Sequence, residues 1–122
     1  MASIFIVEDE AVLAKVYKLL LSYHGHNVIG IAHDGIDALE MFKDFSNPPD
    51  IVLMDHRMPS MDGISVARKI IDLDPDAKII FTTADSDIRE KALEIGAMSF
   101  KNKPFTLHRL LSNIEKALSD SA

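Results

Sequence analysis

The sequence predicts an α/β fold, a doubly wound five-stranded parallel sheet with five helices in a three-layer sandwich. Short β-rich apolar runs alternate strictly with segments whose apolar residues recur at helical spacing, without a linker or repeat. The central run, residues 51–54, has four consecutive apolar residues, which is typical of a strand covered on both faces. With 122 residues, 48% of them hydrophobic, a single domain over residues 1–122 is expected.

The first two strand–helix units precede residue 50. Residues 3–7 and 28–32 are apolar and β-rich and predict strands. Residues 11–23 predict a helix because apolar residues recur at intervals of four, three and four. That stripe comprises Val12, Val16, Leu19 and Tyr23, widened by Leu13, Leu20 and Leu21. The second helix is opened by Asp34 and stopped by Asn47-Pro48-Pro49, and its shared face comprises Ala38, Phe42 and Phe45.

The second half of the chain repeats the pattern three times. Residues 51–54, 78–82 and 98–101 predict the remaining strands. Asp87 and Glu90 have the spacing of a reciprocal N-cap for the fourth helix, and Gly96 suits its C-terminal end. Thr106 is a suitable N-cap for the last helix. The apolar faces predicted for the third and fifth helices comprise Ile64, Ala67, Ile70 and Ile71, and Leu107, Leu111, Ile114 and Leu118.

Composition excludes several classes of function. The formal charge of -6 gives no general attraction for nucleic-acid backbones or anionic membranes, so direct nucleic-acid binding is disfavoured. Without cysteine the chain has no disulfide framework and no thiolate metal site. The first residues lack the basic and long apolar regions of a signal peptide, and no apolar run is long enough to span a membrane. A cytoplasmic protein is expected.

Polar side chains follow several of the predicted strands. A sheet of this size fits the flavodoxin-like order 2-1-3-4-5, whose carboxyl-terminal edge would gather Glu8, Asp9, Asp55, Thr83 and Lys103. Each has a plainer explanation: Asp55 as a loop cap, the other acids as helix caps, Thr83 on a loop amide and Lys103 as a surface charge. Together they favour a site, because three adjacent carboxylates repel unless a cation is bound, and hard oxygen ligands suit Mg²⁺.

Such a carboxylate, held beside a metal ion and an ammonium group, can attack a phosphoryl group and form an aspartyl phosphate. Four segments of the sequence also resemble a family that uses this chemistry. They are VEDE after the first strand, DIVLMDHRMPSMDG around the third, TTAD after the fourth and FKNKPF around the fifth. With these segments the sequence resembles a response-regulator receiver domain of the CheY-like type over essentially its whole length.

The resemblance implies that Asp55 accepts a phosphoryl group from a phosphohistidine. It implies that Glu8, Asp9, Asp55 and the backbone carbonyl of Arg57 hold Mg²⁺, for which Mn²⁺ or Ca²⁺ could substitute. Phosphoryl binding is implied for Thr83, the amide of Ala84 and Lys103, and a cis peptide for Lys103-Pro104. The domain would then not be an enzyme in the usual sense, but a phosphoacceptor that catalyses its own phosphorylation and dephosphorylation.

Three features distinguish this chain within the family pattern. Glu8 stands where the family often has an aspartate, and this longer side chain should alter metal geometry more than abolish binding. Phe100 occupies the switch position that works with Thr83, and it has no hydroxyl with which to form a new hydrogen bond. Arg57 and Asp85 occupy positions that modulate access of water to the acyl phosphate, and we expect an ion pair between them to set its lifetime.

The resemblance also implies partners. They are a sensor histidine kinase or phosphotransfer protein, and a downstream protein or an output domain that is missing from this chain. A homodimer through the face of helix four, strand five and helix five is a further expectation. Two alternatives stay open: a pseudo-receiver that docks proteins without being phosphorylated, and an aspartyl-phosphate phosphatase or flavodoxin-like cofactor protein. Against the last, the loop after the first strand is acidic, whereas a phosphate-cradling loop is not.

Overall fold

The computed structural model describes residues 2–56, 58, 60–83, 89–94, 99–102 and 107–119. Five strands alternate with five helices in this part of the chain. The strands are β1 (Ser3–Val7), β2 (Asn27–Ala32), β3 (Ile51–Met54), β4 (Ile79–Thr83) and β5 (Ser99–Asn102). The helices are α1 (Ala11–Tyr23), α2 (Gly35–Asp44), α3 (Gly63–Leu73), α4 (Arg89–Glu94) and α5 (Leu107–Ser119).

The sheet has the order β2-β1-β3-β4-β5, and the four pairs of neighbouring strands are parallel. Central strand β3 is fully buried, as its four apolar residues predict. The predicted α/β fold with the order 2-1-3-4-5 is therefore confirmed. None of the helices in the described ranges has both the length and the apolar character that crossing a bilayer requires.

Two hydrophobic layers lie on opposite faces of the sheet, and the strands alternate between them. Phe5, Val7, Val52, Met54 and Phe81 pack with α2 and α3. Their neighbours in the chain pack with α1 and α5, and these are Ile4, Ile6, Ile51, Leu53 and Ile80. This two-residue alternation follows from strand geometry, and it decides which helix layer each residue at the end of a strand faces.

Helix α1 does not bury the face predicted for it. The residues of the predicted stripe, Val12, Val16, Leu19 and Tyr23, are 79%, 42%, 68% and 85% exposed. Of the residues expected to widen the stripe, Leu21 is buried and Leu13 packs against the same layer, whereas the buried Ala14 and Tyr17 were not predicted. The assignment was wrong because both sides of α1 are apolar at helical spacing, and position relative to the sheet decides between them.

Helices α2, α3 and α5 follow their predicted faces where their side chains are described. Ala38 and Phe42 of α2 and Ile64, Ala67 and Ile70 of α3 are buried. On α5 Ile114 is buried, together with Leu110 and Ala117, and Leu111 and Leu118 are partly buried. Asp34 caps α2 as predicted, accepting a hydrogen bond from the Asp37 N–H at 2.9 Å. The capping predictions for Asp87, Gly96 and Thr106 lie outside the described residues.

Candidate functional site: an acidic cluster at the carboxyl edge of the sheet

Glu8 and Asp55 are held by an extension of the sheet's hydrogen bonding beyond β1 and β3. The N–H of Asp55 donates to the Val7 carbonyl at 2.9 Å, and the N–H of Glu8 donates to the Ala32 carbonyl at 3.0 Å. Both residues therefore keep strand-like backbone connections past the last residue of the strand. Their side chains leave the sheet at its carboxyl-terminal edge, where ligands bind in open α/β folds.

Three carboxylates meet at this edge. Glu8, Asp9 and Asp55 each offer an oxygen, and these oxygens lie within 4.8 Å of one another. Glu8 is 1% exposed and Asp55 is 5% exposed, whereas Asp9 is open to solvent. We call these three residues the acidic cluster. Because like charges so close repel one another, most strongly where water is scarce, the cluster is suited to a bound cation.

The donor set fits a hard divalent cation. All three ligands are carboxylate oxygens, which Mg²⁺ and Ca²⁺ prefer, and exposed Asp9 leaves one side open to water. Mg²⁺ in particular keeps several waters when bound, so a half-open set of this kind suits it. The cluster could therefore hold a metal ion, and the sequence predicted each of its three members.

Local hydrogen bonds orient the cluster. The N–H of His56 donates to Oδ1 of Asp55 at 2.8 Å, so Asp55 also makes the loop contact considered as its plainer role. Oε2 of Glu8 accepts the N–H of Glu10 at 3.2 Å. The Glu8 carbonyl lies 2.8 Å from Nδ1 of His33, which connects the loops that follow β1 and β2. Backbone N–H groups therefore orient the carboxylates of Glu8 and Asp55.

Tyr17 lies under the acidic cluster and was not among the predicted site residues. It is 1% exposed, and its hydroxyl is hydrogen bonded to the side chain of Thr82, which is also 1% exposed. Burial and then the nearby Glu8 carboxylate raise the pKa of the Tyr17 hydroxyl well above its ordinary value, so it stays neutral at physiological pH. The alternation of β1 and β4 was the available sequence signal, because it turns Glu8 and Thr82 toward the α1 side.

The loop between β3 and α3 is fixed by close backbone contacts. The N–H of Gly63 donates to the His56 carbonyl at 2.8 Å, and a Cβ at Gly63 would overlap the Asp55 carbonyl oxygen and lie 2.8 Å from Cα of His56. Ser60 adopts a φ of 69°, and its Oγ accepts the Ile36 N–H at 3.3 Å and donates to Oδ1 of Asp34 at 3.3 Å. The contacts of Gly63 hold the start of α3 against the backbone of Asp55 and His56. The contacts of Ser60 connect the loop to the start of α2.

His56 follows Asp55 and is partly buried, and its Nδ1 finds no hydrogen-bond partner among the described residues. Met58 and Met61 pack against the core layer that contains Met54. None of these three side chains contributes to the acidic cluster.

The remaining predicted site residues are described in part or not at all. Thr83 ends β4, with its backbone paired to Asn102, and Phe100 pairs with Phe81 within β5. The side chains of Thr83 and Phe100 lie outside the described part of the chain. So do five whole residues, namely Arg57, Ala84, Asp85, Lys103 and Pro104. The strand order nevertheless places β4 next to β3. Thr83, the last residue of β4, therefore lies on the strand adjacent to the one that Asp55 follows.

Comparisons with known proteins agree with this geometry. Residues 4–115 match the family model described as the response regulator receiver domain. The chemotaxis protein CheY of Bacillus subtilis is 37% identical over 118 residues, which cover 95% of this chain and 97% of CheY. The response regulator MprA of Mycobacterium ulcerans is 34% identical over 117 residues, 94% of this chain, but the chain spans only 49% of MprA.

A solved structure shows the same fold. The response regulator protein TrrA from Thermotoga maritima, crystallised in complex with Mg²⁺ and BeF, superposes with a TM-score of 0.86 and 31% sequence identity. The match covers 96% of this chain and 99% of TrrA. The sheet, its order and the acidic edge described above are therefore accompanied by similarity in both sequence and structure.

Proposed function

Because the chain belongs to the response regulator receiver family, we propose that it is a phosphorylation-activated switch whose phosphoacceptor is Asp55. The observation that carries the proposal is the acidic cluster, with carboxylate oxygens of Glu8, Asp9 and Asp55 within 4.8 Å of one another. Asp55 is the member that directly follows the central strand. Its N–H is bonded to the Val7 carbonyl, and Gly63 lies close against its own carbonyl group. A nucleophile held in this way needs little reorganisation to react.

In the proposed reaction a carboxylate oxygen of Asp55 attacks the phosphorus of a phosphohistidine. The new bond is O–P, the bond that breaks is P–N, and the histidine nitrogen leaves with the electron pair. When bound, Mg²⁺ would neutralise the phosphoryl oxygens and relieve the repulsion among the carboxylates. Glu8, Asp9, Asp55 and the Arg57 carbonyl would hold the ion, and Thr83, the Ala84 amide and Lys103 would bind the phosphoryl group. Mn²⁺ or Ca²⁺ could take the place of Mg²⁺.

The proposed output is a population shift, in which phosphorylation draws Thr83 toward the phosphoryl group and lets the ring of Phe100 move inward. The surface that changes would be the face formed by α4, β5 and α5, which a downstream protein, an output domain or a second copy would contact. The phosphodonor would be a sensor histidine kinase or a phosphotransfer protein. We propose residues 1–122 as a single receiver domain working in the cytoplasm.

Incubation of the wild-type protein with acetyl phosphate and Mg²⁺ tests the proposal. Intact-mass measurement is expected to show addition of one phosphoryl group, and hydroxylamine should remove it, as it does from an acyl phosphate. Chelation of the metal before the incubation should prevent the addition. Absence of any phosphorylated species in the presence of Mg²⁺ would overturn the proposal and favour the pseudo-receiver, in which this fold binds proteins without being phosphorylated.

A separate prediction concerns the lifetime of the acyl phosphate. We expect Arg57→Ala and Asp85→Ala to hasten its hydrolysis, because the proposed ion pair would cover the mouth of the site. An exposed ion pair contributes about 0–1 kcal/mol, so the increase in rate should be at most about fivefold. The decay of the phosphorylated mass after removal of the donor measures this rate. Arg68→Ala, at an exposed position on α3, serves as the control, and unchanged decay in both variants would refute the ion pair.

A further inference from the structure

The alternation of the strands turns three polar side chains toward the same helix layer. Ile6, Leu53 and Ile80 all pack in the layer of α1 and α5. Two residues further along each strand stand Glu8, Asp55 and Thr82, and the backbone hydrogen bonds of Glu8 and Asp55 continue the sheet that far. With a period of two residues, these side chains point to the α1 side. Each of these side chains is 5% exposed or less.

Tyr17 is the α1 residue that meets them. Its ring packs in the same layer, it is 1% exposed, and its hydroxyl is hydrogen bonded to the Thr82 side chain. The charges of Glu8 and Asp55 both act on that hydroxyl. The Tyr17 hydroxyl is therefore bonded to the end of β4 and lies near the two buried carboxylates.

We propose that Tyr17 is a positioning residue, whose hydrogen bond to Thr82 holds the end of β4 and the buried side of the acidic cluster in register for metal binding and phosphorylation. Thr82 directly precedes Thr83, the residue proposed to bind the phosphoryl group. A displaced Thr82 would carry that backbone with it. The inference rests on the proposed function, and it adds a second layer of residues, toward α1, to the site.

Loss of the hydroxyl should act on the cluster without emptying the core. Phenylalanine at position 17 retains the ring that fills the layer, but it leaves the Thr82 hydroxyl buried without this partner, and a buried polar group in that state shifts to find another. Because the two hydroxyls act as a pair, removing either one should have the same consequence as removing both. Such dependence separates a positioning role from two independent packing roles.

The test compares Tyr17→Phe, Thr82→Val and the double variant in the full chain. Calorimetric titration with Mg²⁺ alone and the initial rate of phosphorylation by acetyl phosphate are measured, with urea unfolding as the check on folding. Each single variant is expected to weaken Mg²⁺ binding and slow phosphorylation about three- to tenfold, the range for one lost hydrogen bond. The double variant should bind Mg²⁺ as tightly, and be phosphorylated as fast, as the more impaired of the two single variants.

Two control variants complete the design. Thr82→Ser keeps the hydroxyl and should remain within about twofold of the wild type, because the hydrogen bond to Tyr17 is retained. Tyr23→Phe removes a hydroxyl from the same helix at a residue that is 85% exposed, and it should change neither Mg²⁺ binding nor phosphorylation.

The outcomes separate this inference from the proposed function. Wild-type Mg²⁺ affinity in Tyr17→Phe, or effects of the two single variants that multiply in the double variant, would overturn the positioning role while phosphorylation of the wild type stands. If the wild type binds Mg²⁺ without being phosphorylated, and Tyr17→Phe weakens that binding, the positioning role stands and the proposed function fails. No binding of Mg²⁺ by the wild type would overturn both.

Discussion

Asp55→Asn is expected to lose phosphorylation by acetyl phosphate completely and to unfold at a higher temperature than the wild type in metal-free buffer. The first effect follows because an amide oxygen is not a nucleophile at phosphorus under these conditions. The second follows from the acidic cluster, in which three carboxylates lie within 4.8 Å. Unit charges about 4 Å apart repel by about 1–4 kcal/mol near a protein surface, so removing one relieves the other two.

The exchange of oxygen for an amide nitrogen is nearly isosteric, and the asparagine can still accept the His56 N–H that Oδ1 of Asp55 now accepts at 2.8 Å. Mg²⁺ should then narrow the difference in melting temperature, since a ligand stabilises the form that binds it more tightly, and the wild type retains all three carboxylates. Differential scanning calorimetry with and without Mg²⁺ measures both effects.

Asp72→Asn is the matched control, with the same substitution at an exposed position on α3. It should be phosphorylated like the wild type and should show no change in melting temperature that depends on Mg²⁺. A phosphorylated species on Asp55→Asn would assign the acceptor elsewhere. A melting temperature below that of the wild type would show that repulsion within the cluster does not dominate the contribution of Asp55 to stability.

Gly63→Ala is expected to destabilise the fold and to weaken Mg²⁺ binding together. A Cβ at this position would overlap the Asp55 carbonyl oxygen and would lie 2.8 Å from Cα of His56 and 3.0 Å from the Asp55 carbonyl carbon. All three atoms belong to the backbone, so either the start of α3 or the acceptor itself must move. Overpacking of this kind costs about 1–3 kcal/mol, which exceeds the usual gain of alanine over glycine in a helix.

Urea unfolding and Mg²⁺ titration measure the two effects of Gly63→Ala. The comparison is Gly30→Ala, in strand β2, where the new Cβ would meet the Met41 methyl group at 2.9 Å and the Phe45 ring at 3.1 Å. Those atoms are the far ends of side chains and can give way, and they lie on no part of the acidic cluster. Gly30→Ala should therefore leave Mg²⁺ affinity unchanged. Equal losses of affinity in both variants would remove the argument that Gly63 fixes Asp55.

Sequence patterns were sufficient for the sheet but not for the orientation of α1. A run such as 51–54 has one interpretation, because it is short and apolar throughout and must be covered on both faces. Helix α1 has two apolar sides, and the one with Val12, Val16, Leu19 and Tyr23 is exposed. The buried side includes Ala14 and Tyr17, whose fit against the sheet and α5 depends on tertiary packing that no local pattern reveals.

A similar division applies to the site. Glu8, Asp9 and Asp55 were predictable because each follows an apolar strand, and parallel strands end at a common edge. The pairing of Tyr17 with Thr82 was not, because it depends on the phase of β4 relative to α1, and two strands and two helices separate these elements in the chain. The roles of Arg57, Asp85 and Lys103 stay predictions that rest on the family resemblance.

The backbone hydrogen bonds of Glu8 and Asp55 have a consequence for the entropy of metal binding. Their N–H groups are already bonded to Ala32 and Val7, and both side chains are buried, so folding itself orders two of the three carboxylate ligands. Asp9 is exposed, so it has more side-chain rotation to lose than the two buried ligands when an ion arrives. The preorganised pair determines where the ion binds, and the freedom that Asp9 gives up becomes the main conformational term in how tightly it is held.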